Sequence, residues 1–197
     1  TSDQGCTDNE VSGASLLTLG DTSGTLAVPA HLVLDTAHCD AHTYPGRCVY
    51  YMTGDVTVPR GTSLTIAPGV TLLDQYTGWC LRDDDSDGAE CDSNGDMFVG
   101  GSLIVQAGAT LQVSRLPRAR TGVIQIAKGG TLTMNGTATH PIEVGSATSA
   151  PRAGAWGGLY VNGGSASLSY AHLAGAGGGI GCGVGCGYAT GVYVAQG

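Results

Sequence analysis

The densest group of residues able to do chemistry is Arg82-DDDSDGAECDSNGD-Met97. Asp83, Asp85, Asp87 and Gly88 read D-x-D-x-D-G, the opening of a loop whose alternate carboxylates converge on one hard cation. Gly88 would allow the tight turn, and Ala89 would offer its carbonyl. Asn94 stands where an EF-hand places a bidentate Glu, so Asp92 or Asp96 would have to complete the set. Eight acids lie between Asp74 and Asp96, and they repel one another unless a cation or solvent screens them. The pattern predicts a Ca2+ site built from Asp83, Asp85, Asp87, Ala89, Asp92, Asn94 and Asp96. The competing reading is a solvated acidic loop pinned by Cys80 and Cys91.

Three other clusters carry weaker chemistry. His31, His38, Cys39 and Cys48 are zinc-ligand types, but their spacing matches no standard zinc module, and a Cys39–Cys48 disulfide is favoured. Cys182 and Cys186 are expected to close a tight loop; they lack the strand–helix setting that lowers a thiol pKa in redox motifs. Arg115, Arg118 and Arg120 form a basic cluster at a corner, which a β-helix enzyme acting on acidic polysaccharide would need beside its calcium; a solvated turn is the favoured reading. Asn135-Gly-Thr137 is formally a glycosylation sequon and equally an ordinary turn. Trp156 and Tyr160 are expected to cap a corner of the core. No serine-hydrolase elbow, zinc-protease, P-loop or dinucleotide motif occurs, so no catalytic residue is assigned.

These residues must be positioned by short strands. The 197-residue chain is 12% charged and contains 34 Gly, which excludes coiled coils and helix bundles rich in Ala, Glu, Lys and Leu. Apolar–polar–apolar triplets recur throughout: Val56-Thr-Val58, Leu64-Thr-Ile66, Val70-Thr-Leu72, Leu103-Ile-Val105, Leu111-Gln-Val113, Ile124-Gln-Ile126, Leu132-Thr-Met134, Ile142-Glu-Val144, Leu159-Tyr-Val161, Leu168-Ser-Tyr170 and Val192-Tyr-Val194. Alternation puts the aliphatic pair on one face and the middle residue on the other. Gly-centred corners separate them, among them Pro59-Arg-Gly61, Ala67-Pro-Gly69, Gln106-Ala-Gly108, Lys128-Gly-Gly130 and Asn162-Gly-Gly164. Triplets this short, recurring every third side with Ile104 and Ile126 taken as equivalent, predict a solenoid of five or six coils. Residues 1–54 would hold the first coil and a disulfide loop; residues 55–197 would form the main stack, with an acidic insertion at 74–97.

The runs from Asp55 to Leu73, Gly101 to Ser114, Gly136 to Gly145 and Gly154 to Asn162 resemble right-handed parallel β-helix repeat proteins secreted by bacteria. Gly136-TATHP-Ile142 and Trp156-Gly-Gly-Leu159 are the most specific parts, and the resemblance spans residues 53–174. It implies an all-β, right-handed parallel β-helix, and secretion; the expected disulfide-pinned loop insertions and the glycine-rich coil at Gly175–Gly187 are where this chain departs from that family. It transfers no catalytic motif.

Charge and cysteines set the expected surroundings. Residues 1–96 carry fifteen acids and three Arg, whereas residues 97–197 carry Glu143 against four Arg and Lys128. A chain of net charge −8 has no basic stripe for nucleic acid, and no apolar run long enough to span a membrane. Seven Cys, six of them in close pairs, predict an oxidising extracellular or cell-surface location, with Cys6 left for an intermolecular bond. The chain opens on Thr1 without an apolar leader segment, as a processed secreted form would.

The ends decide the expected function. Val192-Tyr-Val194 starts a fresh coil without a capping segment, and Leu16-Leu-Thr-Leu19 follows only a short polar lead. Uncovered coil ends invite head-to-tail addition, which does not close. A structural subunit of an extracellular filament, a self-assembling homopolymer, is therefore expected; a surface adhesin or carbohydrate-binding β-helix that takes surface glycans is the alternative. A polysaccharide lyase ranks below both.

Overall fold

The computed structural model describes residues 26–39, 48–52, 55–74, 97–113, 122–146, 153–177 and 191–195. They form sixteen strands and, among the described residues, no helix. In chain order these are β1 (Leu26–Ala27), β2 (His31–Leu34), β3 (Cys48–Met52), β4 (Val56–Val58), β5 (Ser63–Ile66), β6 (Val70–Asp74), β7 (Met97–Val99), β8 (Ser102–Gln106), β9 (Thr110–Gln112), β10 (Val123–Ile126), β11 (Thr131–Asn135), β12 (Ile142–Gly145), β13 (Gly158–Asn162), β14 (Ser165–Ser169), β15 (Ala171–Leu173) and β16 (Val192–Ala195).

Every third strand pairs, always parallel. Sheet one runs β1-β4-β7-β10-β13-β16, sheet two β2-β5-β8-β11-β14 and sheet three β3-β6-β9-β12-β15. Three sheets wound in this order make a right-handed parallel β-helix, the hand that parallel crossovers take almost without exception. The first coil, β1 to β3, stacks in the same three sheets as the rest, so one core runs through the whole stack.

Axial registry explains the core. Leu64 pairs with Leu103 and Leu103 with Leu132; Val58 with Val99, Val99 with Ile126 and Ile126 with Val161. All are at most 4% exposed. A fully buried aliphatic side chain contributes about 1.5–3 kcal/mol, so these ladders carry the fold. The coil is longer than the triplets suggest. Ile104 faces outward from sheet two while Ile126 points inward from sheet one, so the two are not equivalent. True partners such as Ser102 and Thr131 lie 29 residues apart, and His31 and Ser63 lie 32 apart. The 22-residue reading counted two sides of neighbouring coils as one.

Two glycines show what the corners demand. Gly129 has φ +83°, a left-handed backbone that penalises a Cβ. Its neighbour Gly130 has ordinary φ, but a Cβ there would sit 2.1 Å from the Val99 carbonyl oxygen of the coil beneath. The first glycine makes the bend and the second lets coils approach.

Candidate functional site

At the disulfide corner, Cys39 and Cys48 are bonded, nine residues apart, with Cα atoms 5.5 Å apart. The zinc alternative falls because both thiols are consumed. The histidines are also engaged elsewhere: His31 Nδ1 meets Ser63 Oγ at 2.9 Å and His38 Nδ1 meets Asp35 Oδ1 at 2.8 Å. Asp35 Oδ1 also accepts from the backbone N–H groups of Ala37 and His38. The side-chain hydrogen bond from His38, the largest influence, together with these amides holds the Asp35 carboxyl below its ordinary range. The Tyr50 hydroxyl donates to the Asp35 carbonyl oxygen at 2.7 Å, and burial pushes its phenol up.

The proposed calcium ligands Asp83, Asp85, Asp87, Ala89, Asp92, Asn94 and Asp96 lie outside the described residues, as do Cys6, Cys80, Cys91, Cys182, Cys186 and the cluster Arg115, Arg118 and Arg120. Among the described residues, no three His, Cys, Asp or Glu side chains gather as a metal site would require. Among the described residues, no helix is long and apolar enough to cross a membrane. A cavity of about 10 Å³ between Met52, Leu72, Met97, Leu111, Val113 and Ile124 is apolar and no larger than one water.

Trp156 meets its expectation: it is fully buried, and its indole Nε1–H donates to the Ala174 carbonyl oxygen at 2.8 Å. Tyr160 does not. It pairs with Gln125 and Tyr193 on the outward face of sheet one, and its ring stacks on that of Tyr193, with centroids 5.0 Å apart and planes inclined by 11°. A β13 residue flanked by inward Leu159 and Val161 must face out, which the alternation alone implies.

The feature that sequence reading located by region but could not resolve is the last coil. Among the described residues, its inward positions on β14 and β16 are exposed, while Ala171 and Leu173 on β15 are half-buried. Leu168 pairs with buried Met134 yet is 40% exposed; Val192 and Val194 pair with buried Leu159 and Val161 yet are 48% and 66% exposed. All five residues of β14 are exposed. The expected triplet Leu168-Ser-Tyr170 is also displaced by two residues. Ala166 and Leu168 take the inward positions opposite Leu132 and Met134, and Tyr170 forms the corner with φ +47°, where earlier coils use Gly69 and Gly108. A left-handed backbone costs an L-residue about 1–2 kcal/mol. Tyr170 holds it because its carbonyl oxygen accepts from the Ile142 N–H and packs where a Cβ on Gly136 would be.

Residues 86–177, just under half of the chain, match a family model described as a pectate-lyase like beta helix domain. With three parallel sheets in continuous register, the fold and the match agree. The chain is a parallel β-helix protein. No curated protein and no solved structure matches it. In this β-helix the candidate site is the outermost described coil, where aliphatic side chains of β14 and β16 are exposed.

Proposed function

We propose that this β-helix is a structural subunit of an extracellular or cell-surface assembly, joined end to end to other β-helical coils through its last coil. The observation that carries the reading is the exposure of Leu168, Val192 and Val194 at positions whose partners one coil below are buried. Exposed apolar residues on two strands, β14 and β16, offer a surface that another coil would cover by the same stacking that builds the chain itself. The Cys39–Cys48 disulfide supports an oxidising location.

The head-to-tail filament expected from the sequence needs both ends open. At the head, Val28, Leu34, Tyr50 and Met52 are at most 3% exposed, whereas Val33 is 50% exposed and Leu32 is half-buried. The exposed residues of β14 and β16 carry the proposed joint. Calcium bound at Asp83, Asp85 and Asp87 belongs to the proposal as a stabiliser of the insertion; calorimetric titration into chelator-treated protein should show heat and a rise in Tm. Analytical ultracentrifugation and negative-stain microscopy at physiological calcium should show assemblies larger than 19.7 kDa. A monomer that persists at high concentration would overturn the assembly reading.

A second reading, a surface adhesin or carbohydrate-binding β-helix, is favoured by the outward face of sheet two. Ser63, Ser102, Thr131 and Ser165 stack in register there, and Thr131 donates to Ser102 at 3.0 Å. An uncharged hydroxyl row of this kind suits neutral sugars; a glycan array is the test. The name of the matched family also keeps a polysaccharide lyase in view. Incubation with pectin or alginate, with and without calcium and with Arg118→Ala as control, would reveal such activity.

A further inference from the structure

We propose that Cys39 is a modification site, at which a low-molecular-weight thiol opens the Cys39–Cys48 disulfide and is held as a mixed disulfide. The proposal stands on the disulfide corner alone and is independent of the end-to-end reading above.

Thiol–disulfide exchange begins with a thiolate approaching one of the two sulfurs, and access decides which one. Cys48 opens β3, is 8% exposed and belongs to the hydrophobic core, so a thiolate finds little access to its sulfur. Cys39 lies beyond the end of β2 and is half-buried, packed against the core from outside. The attack therefore has one direction. The loop that the bond closes spans only nine residues, and short loops gain least from a disulfide.

The corner is also prepared for the thiol that leaves. In the closed form Cys48 Sγ carries no hydrogen, yet it lies 3.5 Å from the Asp35 carbonyl oxygen. Once freed and protonated, a Cys48 thiol at that place donates to the same oxygen. That acceptor is fixed in position. The Tyr50 hydroxyl donates to it at 2.7 Å, and the Asp35 carboxylate holds the Ala37 and His38 amides and the His38 ring. The rung survives opening, because β3 stays paired with β6 from Cys48 on Val70 to Met52 on Asp74. The Tyr50 hydrogen bond still ties Asp35 to β3.

The step balances. A small thiolate attacks Cys39 Sγ, a new S–S bond joins the two, and the Cys39–Cys48 bond breaks. Cys48 leaves with the electron pair, takes a proton from water and turns it toward the Asp35 carbonyl. In the return step a Cys48 thiolate attacks the Cys39 sulfur of the mixed disulfide and expels the small thiolate, which restores the closed corner.

Reduced glutathione is the probe. The folded full chain is exposed to it at neutral pH, quenched with N-ethylmaleimide and mapped by peptide mass spectrometry. Glutathione should sit on Cys39 at least about tenfold more often than on Cys48, with the alkyl group on Cys48. Circular dichroism should stay unchanged, and removal of glutathione should restore the closed bond. In Cys39→Ser the remaining Cys48 thiol should react with oxidised glutathione about tenfold more slowly than Cys39 does in Cys48→Ser. That gap should vanish in urea; the wild-type map decides should either serine variant lose its fold. Adducts shared equally between the two sulfurs, or found mainly on Cys48, would overturn the assignment. So would a bond that stays closed in the folded chain and opens only in urea, which is the behaviour of an inert staple.

Discussion

The two ends of the stack are built from the same element, a three-strand coil, and differ in how its inward residues are treated. At the head, Leu34 is fully buried, Tyr50 donates to the Asp35 carbonyl, and a disulfide closes the loop between β2 and β3. At the tail, Leu168 on the ladder of Leu34 is 40% exposed and Val192 and Val194 are exposed too, while Leu173 on the ladder of Tyr50 is half-buried. The difference teaches that a solenoid's ends are not equivalent by default. Each rung buries its side chains against the rung on either side, so an end rung is half solvated unless something is laid on it.

The sharpest way to break this contrast is by truncation. Leu34→Ala should cost about 2–5 kcal/mol, the range for a buried Leu. Val194→Ala, 66% exposed in the single chain, should change its stability by less than about 0.5 kcal/mol. Urea unfolding of the two variants at concentrations low enough to keep the chain monomeric compares them directly; equal losses would erase the distinction between sealed and open ends. Next in size, replacing Cys39 and Cys48 together by Ser should cost about 2–3 kcal/mol, the loop-closure value for so short a loop. Differential scanning calorimetry should show it as a lowered Tm.

Smaller effects refine the comparison. Tyr50→Phe removes a donor from the Asp35 carbonyl and should cost about 1 kcal/mol at the head. At the tail, Tyr170→Gly should relieve left-handed strain and gain up to about 1 kcal/mol, less the entropy that glycine brings to the unfolded chain. The smallest effect depends on pH. The Asp35 carboxyl is held below its unfolded value of 3.8, so its contribution is complete above that pH and fades as pH falls through the lower folded value. Amide exchange at Ala37 and His38 should quicken on acidification below about pH 3.8, and Asp35→Asn should weaken that dependence.

Much of this was legible in the sequence, and the failures have physical causes. Triplets such as Leu64-Thr-Ile66 and Leu132-Thr-Met134 announce their strands because a period of two survives only where one face is dry and the other wet. Cys48–Met52 and Met97–Val99 were missed because Tyr51 is buried and Phe98 is half-buried, so neither strand alternates in hydrophobicity. Ala171–Leu173 was hidden by His172, an exposed residue between small and aliphatic neighbours. The two-residue displacement at Leu168-Ser-Tyr170 arose because the inward Ala166 contrasts weakly with its serine neighbours, while the aromatic Tyr170 extends the alternation past the strand. The acidic loop and the paired cysteines were visible as chemistry, but nothing local fixes where an insertion lies relative to a coil.

The sequence alone determined the kind of object: short strands, glycine corners and aliphatic pairs admit a stacked solenoid and little else, because each requirement is local to a few residues. Only the tertiary structure decided which strand lies on which, since registry between residues about 30 positions apart depends on matching whole coils and not on any single triplet. It also decided that Cys39 and Cys48 are joined, that Tyr160 faces outward onto Tyr193, and that Leu34 is covered while Leu168, four rungs along the same ladder, is exposed. Exposure is a property of what is packed above a residue, and a sequence records only what stands beside it.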